Sequence, residues 1–170
     1  MNYIGVDPSF RDGGIGICVI EGESCYFVSV KNFLAFTKWL SEEAPEGFYC
    51  IENSNLQKES FDKKGGLHVA CRKARNAGMN MAVSQLTVDF CVGRFGVDMV
   101  FEITPQQKGA KILDLKVFEA IVRQEKVTEM LGYKGLKAEQ DKRDAFMIAL
   151  KGKGYMKLKE KSIRNLNNNR

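Results

Sequence analysis

The sequence contains no run of eighteen apolar residues, so we expect no transmembrane helix. Its first residues lack the basic start and the small-residue cleavage site of a secretory signal peptide. Its five cysteines form no CxxC pair and are odd in number, which disfavours a disulfide framework and a zinc site. We therefore expect a cytoplasmic protein, associated with the nucleoid or, if viral, in the host cytoplasm, whose cysteines are small buried hydrophobic residues.

Histidine is also scarce, since His68 is the only one. It lies in or just after a basic segment. A lone histidine lacks partner ligands, so a surface or capping role is the simpler interpretation. Contact with a phosphate or a metal is the alternative.

The net charge of +5 is distributed unevenly along the chain. Residues 1–52 carry three basic and eight acidic side chains. Residues 53–78 carry six basic and two acidic ones, and residues 105–170 carry sixteen and eight. Such asymmetry is typical of a protein whose basic segments contact a polyanion, although ordinary solvated lysines produce the same composition.

The pattern of apolar residues predicts an α/β domain over residues 1–150 and a basic, flexible tail over residues 151–170. Apolar runs between turn residues predict five strands, at 3–7, 15–20, 25–30, 48–52 and 97–103. Helical spacing and breaker residues predict helices at 32–43, at 67–93 with a division at Gly78, from Thr104-Pro105 onward, at 116–131 and at 138–154. Crossover rules then predict a mixed sheet of five strands, three antiparallel and two parallel, with helices on both faces.

Two of the predicted strands end in an acidic residue, Asp7 and Glu52. Functional groups of open α/β sheets lie beyond the carboxyl ends of the strands, so parallel neighbours would place these acids side by side. Asp141 and Asp144 are three residues apart at the start of the last helix and share one of its faces. Each acid alone also has an ordinary explanation, as a turn residue, a solvated strand end or a helix-start residue favoured by the helix dipole.

Four carboxylates at one place repel one another and raise their own pKa values. A divalent cation removes this conflict, and oxygen ligands select the hard ions Mg²⁺ or Mn²⁺. Two such ions roughly 4 Å apart can activate a water and stabilise the leaving oxygen of a phosphodiester. The four acids therefore predict a nuclease site with Mg²⁺ as cofactor, two ions per site, and Mn²⁺ as a substitute.

Four segments in this order resemble the RuvC-type Holliday junction resolvases of the ribonuclease H-like superfamily: "IGVDPSFRDGGIG", "YCIE", "ITPQQKGAKI" and "DKRDAFMIAL". The likeness covers about residues 2–150, and the short distance from Asp7 to Glu52 is similar to that in a compact viral branch. It implies a ribonuclease H-like fold and a homodimer that nicks two opposed strands of a four-way DNA junction, as in DNA recombination and repair. It also implies Asp7, Glu52, Asp141 and Asp144 as metal ligands and Lys108 or Lys116 as catalytic lysines, with Lys111 as a competitor.

The same resemblance implies that the loop at 53–66 contacts the junction. Phe61 lies among lysines there and either stacks on an unpaired base or packs on its own loop. We also expect part of the apolar helix at 79–93 to pair with a second copy of the chain. The expected DNA-binding residues are Lys58, Phe61, Lys63, Lys64, Arg72, Lys73, Arg75 and Lys111.

Other functions remain open at this point. A related nuclease could act on flaps, RNA–DNA hybrids or other branched DNA, because substrate choice depends on loops rather than on the acids. A DNA-binding relative without catalytic activity would share the fold. An actin-like kinase is disfavoured, because such enzymes need two domains of this kind and 170 residues cannot supply both.

Overall fold

After the first three strands, helices and strands alternate along most of the chain, as expected of an α/β protein. The computed structural model describes residues 1–9, 14–56, 66–109, 115–133 and 140–168. The strands are β1 (Asn2–Asp7), β2 (Ile15–Glu21), β3 (Ser24–Val30), β4 (Gly47–Glu52), β5 (Val100–Ile103) and β6 (Glu129–Leu131). The helices are α1 (Phe33–Glu42), α2 (Leu67–Phe95), α3 (Pro105–Lys108), α4 (Leu115–Gln124) and α5 (Gln140–Asn168), with short 3-10 turns at Ser54–Leu56 and Val97–Met99.

All six strands form one mixed sheet in the order β5-β4-β1-β2-β3-β6. Strands β1, β2 and β3 are antiparallel neighbours, whereas β4 joins β1, and β5 joins β4, in parallel. This confirms the α/β class and the placement of all five predicted strands, although β5 is shorter than predicted because a 3-10 turn occupies 97–99. The predicted number of strands, five, is wrong.

The additional strand is β6, which pairs in parallel with the outer edge of β3. The sequence predicted a helix through residue 131, but α4 ends at Gln124 and Lys126 adopts a positive φ of 58°. The backbone N–H of Thr128 then donates to the carbonyl of Glu23 at 2.7 Å, which starts the pairing with β3. A left-handed residue other than glycine or asparagine carries little sequence signal, so this strand was missed.

Helices cover both faces of the sheet, as predicted. On one face, Val6, Ile17 and Ile51 pack against α1 and α2 in one apolar cluster. On the other, Cys18 and Ile20 pack against α4 and α5 in a second cluster. The expectation of buried cysteines is confirmed for four of the five; the exposed one is Cys71.

Both long helices extend further than the sequence predicted. Helix α2 continues through Gly78 and Gly93 and ends at Phe95, where Gly96 adopts a φ of 86°. Helix α5 runs to Asn168, so the predicted flexible tail is helical over 151–168. Isolated glycines cost a helix only about 1 kcal/mol each, and neither helix is interrupted by proline. No helix in the described ranges is long and apolar enough to cross a membrane.

Glycines in β1 and β2 allow α5 to lie directly on the sheet. A Cβ atom at Gly5 would collide with the backbone of α5 at Ala145 O and Ala149 N. A Cβ at Gly16 would lie 2.5 Å from Asp141 O. The first turns of α5 are therefore held against the carboxyl end of β1.

We predict that Gly5→Ala lowers the free energy of unfolding by about 3 kcal/mol or more, because the added methyl group meets helix backbone that cannot rotate away. Chemical denaturation measures the change. Gly78→Ala is the matched control, since Gly78 is exposed in a helix and no atom of the described residues lies within 4 Å of an added Cβ. This variant should be neutral or stabilising by up to about 1 kcal/mol. Equal stability of the two variants would contradict the close packing of α5.

Candidate active site

Asp7 and Glu52 lie at the ends of two adjacent parallel strands. In the β1–β4 ladder Val6 is opposite Ile51, so the acidic residues that follow them leave the same edge of the sheet. Both side chains lie largely inside the protein, at 7% and 9% exposure. The predicted adjacency of these two acids is confirmed.

Helix α5 contributes a third buried carboxylate to this edge. Asp144 is 3% exposed, and Asp141, one turn earlier, is half-buried. Asp141 is close enough to Asp7 to raise its pKa, and its backbone faces Gly16, which is opposite Asp7 in the β1–β2 ladder. The structure thus gathers the four predicted acids at one end of the sheet.

A lysine ammonium lies among these carboxylates. Lys108 Nζ is 2.6 Å from Glu52 Oε2, 3.2 Å from Asp144 Oδ2 and 3.8 Å from Asp7 Oδ2. Burial lowers the pKa of Lys108, but the three carboxylates outweigh this effect and the net pKa lies above its ordinary value. Lys108, one of the lysines named from the sequence, therefore contacts the acids.

The position of Lys108 follows from a short segment after β5. Ile103 pairs with Glu52 in the sheet, and Thr104 then caps α3. The Thr104 hydroxyl accepts from the N–H of Gln107 at 3.1 Å, and the Gln107 side chain accepts from the N–H of Thr104 at 2.7 Å. This capping box confirms the predicted helix start and directs Lys108 toward the acids.

Asp7 has a strongly altered pKa in this environment. Burial disfavours its charged form and is the largest cause; Lys108 opposes the shift, whereas the neighbouring acids reinforce it. The pKa of Asp7 rises from its ordinary value of 3.8 to about 8. Without a further cation, the cluster thus favours a protonated Asp7 at neutral pH.

A hydrogen-bonded relay behind Asp144, which sequence reasoning missed, sets the orientation of this carboxylate. Arg143, 2% exposed, donates to Gln140 Oε1 at 2.9 Å and to the Tyr133 hydroxyl at 3.2 Å. Because a guanidinium only donates, Gln140 must direct its amide NH₂ away from Arg143. That NH₂ donates to Asp144 Oδ1 at 2.6 Å, leaving Oδ2 to face Lys108.

A second network, also missed, holds the chain that follows Glu52. Asn53 is 1% exposed, and its side-chain NH₂ donates to Glu102 Oε2 at 2.6 Å. Its side-chain oxygen accepts from the backbone N–H of Asn55, whose own amide donates to Met81 O on α2. Asparagine after a strand reads as an ordinary turn residue, so only the fold reveals these partners.

The remaining predicted site residues fall into two groups. In the first group, all residues are exposed: Lys116 lies on α4, and His68 lies near the start of α2. The predicted basic residues on the amino-terminal half of α2 are exposed as well: Arg72, Lys73 and Arg75. Exposure of His68 agrees with a surface role. The other predicted DNA contacts lie outside the described residues: Lys58, Phe61, Lys63, Lys64 and Lys111.

The donor set suits a hard divalent cation, because the converging groups are all carboxylates. Glu52 Oε2 is buried and lies 2.6 Å from the ammonium nitrogen of Lys108. Even so, in the described ranges no three acidic, histidine or cysteine side chains stand close enough to form a ready metal site. The three buried carboxylates surround the ammonium group of Lys108 instead of an empty position that a metal ion could take.

In comparisons with known proteins, no family model matches the chain, and no curated protein sequence matches it.

We predict that the metal-free protein loses stability as the pH rises from about 4 through 8. The folded state raises the pKa of Asp7, so it binds this proton more tightly than the unfolded chain does. The corresponding stabilisation is complete below the unfolded pKa and is lost above the folded one. The melting temperature in EDTA, recorded between pH 5 and 9, measures this loss of stability.

Asp7→Asn should remove this part of the pH dependence. Asp98→Asn, at an exposed acid in the Val97–Met99 turn, is the control and should retain it. A wild-type melting temperature that rises across this range relative to Asp7→Asn would contradict the assignment.

Proposed function

We propose that the chain is a metal-dependent endonuclease of ribonuclease H-like fold that resolves four-way DNA junctions by nicking two opposed strands. One observation carries the proposal: Asp7, Glu52 and Asp144 converge on Lys108 Nζ at the carboxyl edge of β1 and β4. Burying three carboxylates is costly for stability. A functional requirement for concentrated negative charge accounts for that cost.

The carboxylates of Asp7, Glu52, Asp141 and Asp144 are the groups that would hold Mg²⁺ or Mn²⁺. When bound, such ions supply a more acidic water and offset charge on the leaving oxygen of a phosphodiester. The relay through Gln140 fixes Asp144 Oδ2 toward the site. Lys108 provides an ammonium on the same side, where it can pair with a substrate phosphate.

Helix α2 provides a basic arm on the same side as the acids. Its carboxyl-terminal end stacks Phe95 on Tyr49 in mid-β4, and its middle receives the Asn55 bond at Met81, just past Glu52. Residues 67–80 therefore continue beyond the sheet edge for about 20 Å at helical rise. No described side chain of 68–80 is buried, and Arg72, Lys73 and Arg75 are exposed there, which supports contact with DNA phosphates.

The basic half of α5 runs in the opposite direction. A Cβ at Gly152 would lie 2.8 Å from Cys50 Cβ, and the Tyr155 ring stacks on Phe101 with centroids 4.0 Å apart. The exposed lysines that follow lie still further from the acids: Lys157, Lys159 and Lys161. Of these two basic segments, α2 rather than the predicted tail is thus the one beside the site.

The dimer belongs to the same proposal. Leu86 and Phe90 of α2 remain 44% and 47% exposed, and Leu34 of α1 is 78% exposed. The Phe33 and Phe90 rings make an edge contact at 5.2 Å, so the exposed Phe90 lies where α1 meets α2. A second copy covering these exposed apolar side chains through two-fold symmetry would supply the second active site that paired nicks require.

The direct test incubates the protein and Mg²⁺ with labelled four-way junction, flap, duplex and RNA–DNA hybrid. We expect paired nicks in the junction alone. Asp7→Asn, Glu52→Gln and Asp144→Asn should each abolish cleavage and preserve junction binding, because binding depends mainly on basic contacts to phosphate. Asp141→Asn should reduce cleavage less completely.

Preferential cleavage of flaps or hybrids would show that the protein is a related nuclease and not a junction resolvase. Near wild-type nicking by Asp7→Asn would contradict the proposed site.

A second prediction tests the arm of α2. Neutralising Arg72, Lys73 and Arg75 to Gln should weaken junction binding and reduce the salt slope by roughly 0.9 per lost phosphate contact. The matched control changes Lys157, Lys159 and Lys161 to Gln, which removes equal charge from exposed positions at the far end of the molecule. Salt-dependent binding by fluorescence anisotropy measures both, and equal losses would show that α2 has no special place at the interface.

A further inference from the structure

Lys108 Nζ lies among the three buried carboxylates of the proposed site. Its Nζ is 2.6 Å from Glu52 Oε2, and its side chain is 9% exposed. The same nitrogen donates to Asp144 Oδ2 at 3.2 Å and lies 3.8 Å from Asp7 Oδ2. One ammonium is therefore the common neighbour of all three buried carboxylates.

We propose that Lys108 is a tethered counter-cation that fills the acidic site in the metal-free protein and is displaced when a divalent ion binds. This inference rests on the metal site of the proposed function. It adds that the metal and the lysine exclude each other, so that Lys108 moves outward only in the metal-loaded protein.

Charge and distance both support mutual exclusion. Mg²⁺ requires oxygen ligands at 2.0–2.1 Å, whereas the three oxygens here surround Nζ at ammonium distances. An ion drawn to the same oxygens would lie within a few ångströms of the ammonium, in a buried place where like charges repel strongly. The lack of any three described side chains arranged as a ready metal site agrees with this occupancy.

The local fold allows Lys108 to leave without disturbing the acids. The capping box at Thr104 and Gln107 holds the start of α3, so the backbone can remain in place while the side chain swings away. Gly109 follows with a φ of 96°, and no atom of the described residues lies within 4 Å of the position that a Cβ would take there. The four-carbon stem of lysine permits this motion at little cost in strain.

The test is calorimetric titration of MnCl₂ into wild type and Lys108→Met. Removing the competing ammonium should tighten Mn²⁺ binding by about tenfold or more, and the same variant should be less stable in EDTA, where its acids lose their counter-cation. Lys38→Met is the matched control, because Lys38 is 70% exposed on α1 and its partner, Glu42, lies 3.9 Å away on the same helix. It should bind Mn²⁺ as wild type does.

A measurement on the wild-type protein keeps the inference testable if the variant does not fold. Acetylation of lysine side chains, mapped by mass spectrometry, should modify Lys108 slowly in EDTA and faster with Mn²⁺, whereas Lys38 should react equally in both. Weaker or unchanged Mn²⁺ affinity in Lys108→Met, or acetylation of Lys108 that is indifferent to Mn²⁺, would overturn the inference.

These outcomes separate the inference from the proposed function. Displacement of Lys108 by Mn²⁺ in a protein that cleaves none of the DNA substrates would support the inference and reject the nuclease. Cleavage that requires Mg²⁺, with Lys108 unmoved and Mn²⁺ affinity unchanged in Lys108→Met, would support the nuclease and reject the inference. Absence of Mn²⁺ binding in both proteins would reject the inference together with the metal site.

Discussion

The direct contact between the backbone of α5 and the strands beneath it determines most of what is distinctive in this structure. Gly5 and Gly16 leave no side chain between strand and helix, so α5 lies at backbone distance from β1 and β2. That contact brings Asp141 and Asp144 to the end of β1, where Asp7 is already fixed by the sheet. A larger residue at either glycine would separate the two halves of the acidic cluster.

The cluster itself is an electrostatic compromise. Three buried carboxylates would be unstable together, and the fold offsets them with one ammonium from the adjacent strand–helix connection. Lys108 supplies a single positive charge. That charge lowers the pKa of Asp7, but burial, the largest cause, and the neighbouring acids outweigh it and raise the pKa. The remaining negative charge is the physical reason for proposing a divalent cation there, because the amide of Gln140 that orients Asp144 is neutral and does not offset it.

Much of this arrangement could be predicted from the sequence because it depends on local periodicity. Apolar runs that end in Asp7 and Glu52 identify strand ends, and a Thr-Pro pair identifies the start of α3. The parallel pairing of β1 and β4 then makes the two acids neighbours. The sequence could not predict that Lys108 contacts the acids, because this contact depends on where α3 lies after β5 and not on spacing along the chain.

The features that sequence reasoning missed depend on long-range contacts or on weak local signals. Strand β6 exists because Thr128 meets Glu23 across more than one hundred residues. Asn53 and Arg143 resemble ordinary turn and surface residues until the fold buries them. The charge of residues 151–170 predicts a flexible tail, whereas the structure continues α5 to Asn168 and stacks Tyr155 on Phe101.

Anomalous scattering of Mn²⁺ in crystals of the wild-type protein tests most sharply whether a divalent ion displaces Lys108 from the acids. The expected result is an anomalous peak beside the carboxylates of Asp7, Glu52 and Asp144, with Lys108 Nζ withdrawn from all three. Crystals grown in high Mn²⁺ that show no peak at these carboxylates, with Lys108 still in contact with Glu52, would contradict it.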